Sequence, residues 1–256
     1  MTAQNCRPVH SPISRETSFR IAQVSAEAAW RHGTSIDLQH VHDFRQQGQQ
    51  LLLASSPLLR PQWIFGAGDT RADEASQGRF FNLAVELGQA TSVDRLVTGE
   101  VLSSYFYSLH HNIAAVVPAP EPEVRERISE ERSRYLQLLT RDVDRSIFSP
   151  AGEAQGGDWK SLHWLPPYLN PYTQRRAIRI AAPILDQGVP FAALVMEYPP
   201  LALPERLTPG EQRGTYAILS AQGEIIGAAP HASSHPPAFD QALLARLLPS
   251  EGAGRA

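Results

Sequence analysis

From Ser18 to Leu59 the apolar residues Phe19, Ile21, Val24, Ala28, Ile36, Val41, Phe44, Leu51, Leu52 and Leu58 recur at three- and four-residue intervals. That spacing keeps one stripe of an α-helix apolar. Only Gly33 and Gly48 interrupt the pattern, and Pro57 and Pro61 end it. The spacing predicts one long helix over 16–60, with Ser14 or Thr17 able to cap it, after a flexible lead-in over 1–15 that carries Pro8 and Pro12. Unbroken, such a helix would reach roughly 60 Å at ~1.5 Å per residue, the length of a spine rather than of an ordinary globular helix.

Beyond the prolines the pattern shortens. Arg79 to Gly88 and Ser92 to Val101 read as short helices. Ser104 to Leu109 and Ile113 to Pro118 are apolar runs rich in Tyr, Phe, Ile and Val, separated by His110-His111-Asn112, which is a hairpin pattern. Glu121 to Asp144 returns to helical spacing, with Glu121, Glu123 and Glu126 near its positive start, and Ser149 to Gly157 reads as a loop. A second hairpin runs from Ala177 to Leu185, through Asp186-Gln187-Gly188, and back from Val189 to Tyr198. A third joins Thr215 to Leu219 and Glu224 to Ala229 through Ser220-Ala221-Gln222-Gly223. The tail from Ala232 is Pro/Ser-rich and closes on a short amphipathic helix over Phe239 to Leu248. Hairpins separated by helices predict an α+β fold, with antiparallel sheet and flanking helices, rather than the regular alternation of a parallel sheet.

Composition narrows the function classes. The chain has 256 residues, 42% hydrophobic and 19% charged, enough core for one or two globular domains. A net charge of -3 provides no general positive field for nucleic acid. Lys160 is the sole lysine, a bias of composition rather than of a binding surface. Cys6 is the single cysteine, so neither an intramolecular disulfide nor a cysteine-rich metal site can form. No run approaches the ~20 apolar residues that span a bilayer, and Met1 to His10 lacks the apolar core of a signal peptide. The expectation is a membrane attachment only through segments absent from this chain.

The segment Trp164-Leu165-Pro166-Pro167-Tyr168-Leu169-Asn170-Pro171-Tyr172-Thr173, followed by strands Ala177 to Pro183 and Phe191 to Glu197, resembles the double-CACHE, PAS-like class of bacterial extracytoplasmic sensor domains. That family's pattern is a Trp, a Pro-Tyr, an Asp, a Thr-Gly turn, a strand ending in Ala-Pro, a Gly turn and a final apolar strand. Gly214 to Leu219 with Gly223 to Ile226 is similar to the opening hairpin of the membrane-proximal module. The arrangement is most like that of hybrid sensor histidine kinases. The resemblance implies a long N-terminal helix packed on a PAS-like antiparallel sheet, plus a second, smaller module, complete or truncated. The domains expected are a membrane-distal sensor over 61–203, the start of a membrane-proximal module over 204–250, and a tail over 251–256.

Two departures matter. Asn170 stands where relatives that bind amino acids through a shared motif carry Asp, and Gln174 stands in place of the turn glycine. The Arg-Trp-Tyr trio of those relatives is not evident, Trp159-Lys160 being the nearest substitute. Amino-acid specificity is therefore not carried over. The candidate ligand-binding residues are Tyr107, Trp159, Trp164, Tyr168 and Asn170: aromatic walls with hydroxyl and indole N–H groups, and an amide able to donate and accept. The same aromatic loop would also serve simply to close the core over the sheet.

Other chemistry finds no support in spacing. His40 and His42 lie two apart, so on a helix they diverge, and His110-His111, His231 and His235 offer no chelating geometry. No metal and no cofactor is expected. The carboxylates and arginines of 121–134 fit helix-surface pairing, and nucleophile-elbow, phosphate-loop and dinucleotide motifs are absent. The reading is a non-enzymatic, periplasmic small-molecule sensor of a signalling receptor, with a possible homodimer through the N-terminal helix and output beyond Ala256. The alternatives are an interaction domain whose pocket is filled by its own side chains and a small hydrolase, which requires Ser, His and a carboxylate in one cleft.

Overall fold

A computed structural model describes residues 12–32, 38–53, 60–68, 74–98, 101–109, 112–148, 162–199, 201–202, 217–219 and 225–228. The N-terminal pattern folds as two helices and a strand: α1 (Pro12–His32), α2 (Leu38–Gln46) and β1 (Gln50–Leu53). The single helix expected over 16–60 is thus corrected. Gly48 at φ 67° and Gln49 at φ 64° are consecutive left-handed residues, which no α-helix continues through. Past them the burial alternates, Leu51 being buried and Leu52 exposed, as pairing with the next strand demands. α1 begins at Pro12, before either residue expected as its cap, where a proline without an N–H is tolerated.

The apolar stripe of α1 also divides. Arg15, Phe19, Ala22, Gln23 and Ala26 are buried, while Ile21 and Val24 remain 63% and 64% exposed.

After β2 (Gln62–Gly66) comes α3 (Glu74–Thr98), one continuous helix where two short ones were predicted. Gly88 lies inside it at a close approach: an added Cβ would meet the Gln62 side-chain amide at 2.9 Å. That amide donates to the Ala84 carbonyl at 2.8 Å, docking α3 onto β2.

The hairpin β3 (Ser103–Ser108) and β4 (Ile113–Val117) follows, then α4 (Pro122–Glu130) and α5 (Arg132–Ile147). These two helices replace the single one expected over 121–144, because Glu131 leaves helical geometry at φ −126°. β5 (His163–Asn170), β6 (Arg175–Asp186) and β7 (Val189–Tyr198) complete the layer. Gln187 at φ 51° and Gly188 at φ 85° form the β6–β7 turn, both left-handed as the commonest two-residue hairpin turn requires.

Seven strands form one antiparallel sheet in the order β1-β2-β4-β3-β7-β6-β5. The meander β5-β6-β7 returns beside β3, so the chain between β4 and β5 must cross one face, and α4 and α5 cover it. The opposite face carries α1, α2 and α3 around Phe19, Phe44, Phe81, Ile180 and Leu194. Beneath α4 and α5 lie Trp63, Phe65, Tyr105, Tyr107, Tyr135 and Leu139. Both faces are therefore core, which is why the central strands read as continuous apolar runs. The α+β class expected from the hairpin pattern is the class observed.

A second sheet joins β8 (Leu201–Ala202), β10 (Ile225–Ala228) and β9 (Ala217–Leu219), with β8 parallel to β10 and β9 antiparallel to it. Of the lead-in expected over 1–15, residues 12–15 belong to α1, and residues 1–11, Trp159, the predicted loop 149–157, the turn 220–223 and the predicted helix 239–248 lie outside the described residues.

Candidate functional site

The site begins with charges placed inside apolar strands. Arg179 stands in the run Ile178-Arg179-Ile180 of β6, and Glu197 follows Val195-Met196 on β7. Arg179 is fully buried and Glu197 is 7% exposed. The register sets Glu197 directly opposite both Ser103 on β3 and Arg179 on β6. All three point to the face covered by α5, forming a polar row across the end of an apolar layer.

Burying charge is costly without compensation, and the partners are specific. Glu197 accepts hydrogen bonds from the Ser103 and Tyr168 hydroxyls. The Arg179 Nη2 donates to Asp142 Oδ2 on α5 at 3.0 Å, and its guanidinium carbon lies 4.0 Å from the Tyr168 ring centroid. Its Nε and Nη1 are buried without a hydrogen-bond partner. Burial pushes the Glu197 carboxyl above the usual carboxylate range, opposed by the two hydroxyl donors and by the charges of Arg179 and Arg175. Burial likewise raises the Tyr105 and Tyr168 phenols, which stay protonated donors.

Above this row lies a cavity of about 310 Å³ between the sheet and helices α4 and α5. Ser103, Tyr105 and Glu197 line it from the sheet, and Tyr135 and Leu139 from α5. Tyr135 and Leu139 are one helical turn apart on the buried stripe that continues through Val143 and Ile147. Arg60, Glu121 and Arg175 contribute exposed charges to the lining. Asn170, Tyr172 and Thr173 close one side. Their turn is built locally: the Asn170 Oδ1 accepts from the Tyr172 and Thr173 amides at 3.0 and 3.2 Å, an Asx-turn.

The residues singled out from sequence are dispersed. Asn170 lines the cavity, although its carbonyl oxygen serves the turn. Tyr168 touches it through Glu197. Tyr107 sits elsewhere on the same face, its hydroxyl donating to Asp144 Oδ1 at 2.5 Å beside a separate hollow of about 310 Å³. Trp164 belongs to the other side of the sheet, packed against the core under α1 and α3, with its indole N–H donating to Glu16 at 2.8 Å.

The segment expected as an aromatic loop is in fact strand β5 at the sheet edge. Its register shifts between Leu165 and Tyr168, across Pro166-Pro167. Prolines are accommodated at edges and bulges because they donate no ladder hydrogen bond. The extra residue turns both Leu165 and Tyr168 toward α5, where uninterrupted alternation would set them on opposite faces.

Glu197, Arg179, Ser103, Tyr105 and Tyr135 were not anticipated. The available signal was the pair of charged residues interrupting otherwise apolar strands, since such residues enter a two-sided core only with partners. Chemically, the lining sets the carboxyl groups of Glu121 and Glu197 and the guanidinium groups of Arg60 and Arg175 among tyrosine rings, so it offers a small polar ligand both signs of charge and aromatic faces.

No protein-family model matches this chain, and no curated protein matches it. Among solved structures, the sensory domain of the Campylobacter jejuni chemoreceptor Tlp3 (CcmL) with isoleucine bound is similar at 12% identity and a TM-score of 0.34, covering 85% of this chain and 75% of that one. The ligand-binding domain of the same chemoreceptor with L-valine gives 13% and 0.35 over 85% and 75%. Its complex with L-norvaline gives 12% and 0.34 over 91% and 79%. Likeness at this level establishes no shared ligand and no family membership.

Proposed function

We propose that this chain is an extracytoplasmic small-molecule-sensing domain of a bacterial signal-transduction receptor, a binding module rather than an enzyme, whose cavity takes a protonated amine. The observation that carries the reading is the cavity of about 310 Å³ with the buried Glu197 carboxylate and the tyrosines Tyr105, Tyr135 and Tyr172 in its lining. Pockets for small ligands start near this size, with mainly apolar walls and a few directional polar groups. The double-CACHE resemblance of the β5–β7 segment supports the same reading, and the observed meander returning beside the first hairpin suits a PAS-like sheet. A sensor histidine kinase is the receptor type we favour, with residues 204–250 starting a membrane-proximal module. Among the described residues no helix is long and apolar enough to cross a membrane, which suits an anchor supplied by other segments.

A path from cavity to helix supports a signalling role. β6 carries Arg179 on the cavity face and holds α1 on the other. Gln23 donates to the Pro183 carbonyl at 2.9 Å, Glu27 accepts from the Leu185 amide at 3.3 Å, and Trp30 donates to Asp186 at 2.8 Å. Exposed Thr17, Ile21, Val24 and Ala28 recur at intervals of four, three and four residues on α1. That is the seam spacing of a coiled coil, and we assign it to a second copy of the chain.

The occluded-pocket alternative needs side chains to fill the space that the cavity occupies. The hydrolase alternative needs a serine, a histidine and a carboxylate in one cleft; Ser103 and Glu197 line the cavity, and no histidine is among its described lining residues. The test is calorimetric titration with amines, amino acids and carboxylates of matched size. Binding by amines that is abolished in Glu197→Gln supports the reading. Preference for carboxylates, or no binding by any class, overturns it.

A further inference from the structure

Arg179 is fully buried, yet it uses only Nη2 in a hydrogen bond, to Asp142, while Nε and Nη1 have none. A buried guanidinium needs compensation for its lost hydration, and it is given by the Asp142 carboxylate, the Tyr105 hydroxyl and the Tyr168 ring. Arg179 does not line the cavity, so it stands one layer behind the ligand surface. It faces Glu197 across the β6–β7 ladder, and Tyr168 links the two, its ring against the guanidinium and its hydroxyl on the carboxylate.

The groups that face Glu197 are Ser103 and Tyr105 from β3, Tyr168 from β5, Arg175 and Arg179 from β6, and Tyr135 from α5, with Asp142 behind Arg179. Two of these are cations. Arg175 is exposed and screened by water and salt, whereas Arg179 acts through the protein interior, where a charge is felt more strongly.

We propose that Arg179 determines the charge class of ligand this cavity accepts, as a positioning residue that acts through Tyr168 and the cross-strand register to hold Glu197 as a carboxylate. The inference rests on the reading of the cavity as a ligand site. Without Arg179, burial would favour the neutral acid, which donates a hydrogen bond and attracts no cation. Asp142 tempers the effect, since its negative charge draws on the same guanidinium.

The proton itself is the probe. Carbon-13 NMR of the Glu197 carboxyl, titrated in the full chain, reads its proton affinity directly. Arg179→Gln should raise its proton affinity at least about tenfold, Arg179→Lys should restore most of the difference, and Asp142→Asn should lower it several-fold. Packing alone would not give opposite shifts from the two neutralising changes. An unchanged midpoint in Arg179→Gln, or an unchanged or raised one in Asp142→Asn, overturns the proposal. If near-UV circular dichroism shows that Arg179→Gln does not fold, Asp142→Asn and Arg179→Lys decide it. The titration needs no ligand, so failure of every amine to bind and failure of Arg179 to control Glu197 are separate results.

Discussion

Arg179 and Glu197 occupy directly opposed positions on β6 and β7, yet each finds its hydrogen bonds elsewhere: the guanidinium on Asp142, the carboxylate on Ser103 and Tyr168. Tyr168 touches both, its ring against the guanidinium and its hydroxyl on the carboxyl group. This arrangement gives a carboxylate at the edge of a cavity a defined geometry, and it has consequences that stability measurements can read.

The first concerns pH. The folded-state pKa of Glu197 is raised above its ordinary value of 4.5 by burial. The folded protein therefore holds this proton more tightly than the unfolded chain. Its contribution to stability is fully present below about pH 4.5, and it is lost as pH rises through the folded-state value. Urea denaturation across this window should show a decline in the stability of the wild type relative to Glu197→Gln, and the difference should level off once Glu197 is ionised. A difference that grows in favour of the wild type with rising pH would contradict the burial argument.

Tyr168 separates two interactions. Tyr168→Phe keeps the ring under Arg179 and removes the hydroxyl that binds Glu197, so it should cost about 2 kcal/mol, the range for a hydrogen bond to a charged group. Tyr168→Leu loses the ring contact as well and should cost more. Equal losses in chemical denaturation would show that the hydroxyl alone matters.

Gly88 tests the contact between α3 and β2. Alanine is better than glycine in a helix by about 1 kcal/mol, but here its Cβ would displace the buried Gln62 amide and its bond to Ala84. Gly88→Ala should therefore destabilise the wild type, while the same change in a Gln62→Ala background should stabilise by about 1 kcal/mol. A stabilising effect in both backgrounds would mean that Gln62 yields without cost.

The exposed seam of α1 predicts association. Val24→Glu sets a charge at the centre of the stripe and should shift sedimentation equilibrium toward monomer, with circular dichroism unchanged because Val24 is exposed in the single chain. A wild-type chain that sediments as a monomer at high concentration would remove the basis for a dimer through this helix.

Much of the architecture is legible in local patterning. The hairpins at 104–118 and 177–198 follow from apolar runs around polar turns, and Gln187-Gly188 supplies the backbone that the second turn needs. Helix over 121–144 follows from its spacing, though not the break at Glu131, and the α+β class follows from the order of the elements. The N-terminal helix was overextended because Leu51 and Leu52 satisfy helical spacing as well as strand alternation, and only pairing with β2 decides between them.

The sequence by itself therefore determined the hairpins at 104–118 and 177–198 and the α+β class, because periodicity and turn chemistry are properties of neighbouring residues, while helix ends and the edge strands β1 and β5 needed their partners. It also marked Arg179 and Glu197 as charges in apolar strands. Tertiary structure decided that they face each other, that the bulge at Pro166-Pro167 turns Tyr168 toward them and leaves Trp164 on the other side, and that α5 brings Tyr135 and Asp142 to the same layer. Those relations depend on strand order and register between residues far apart in the chain, which local spacing does not encode.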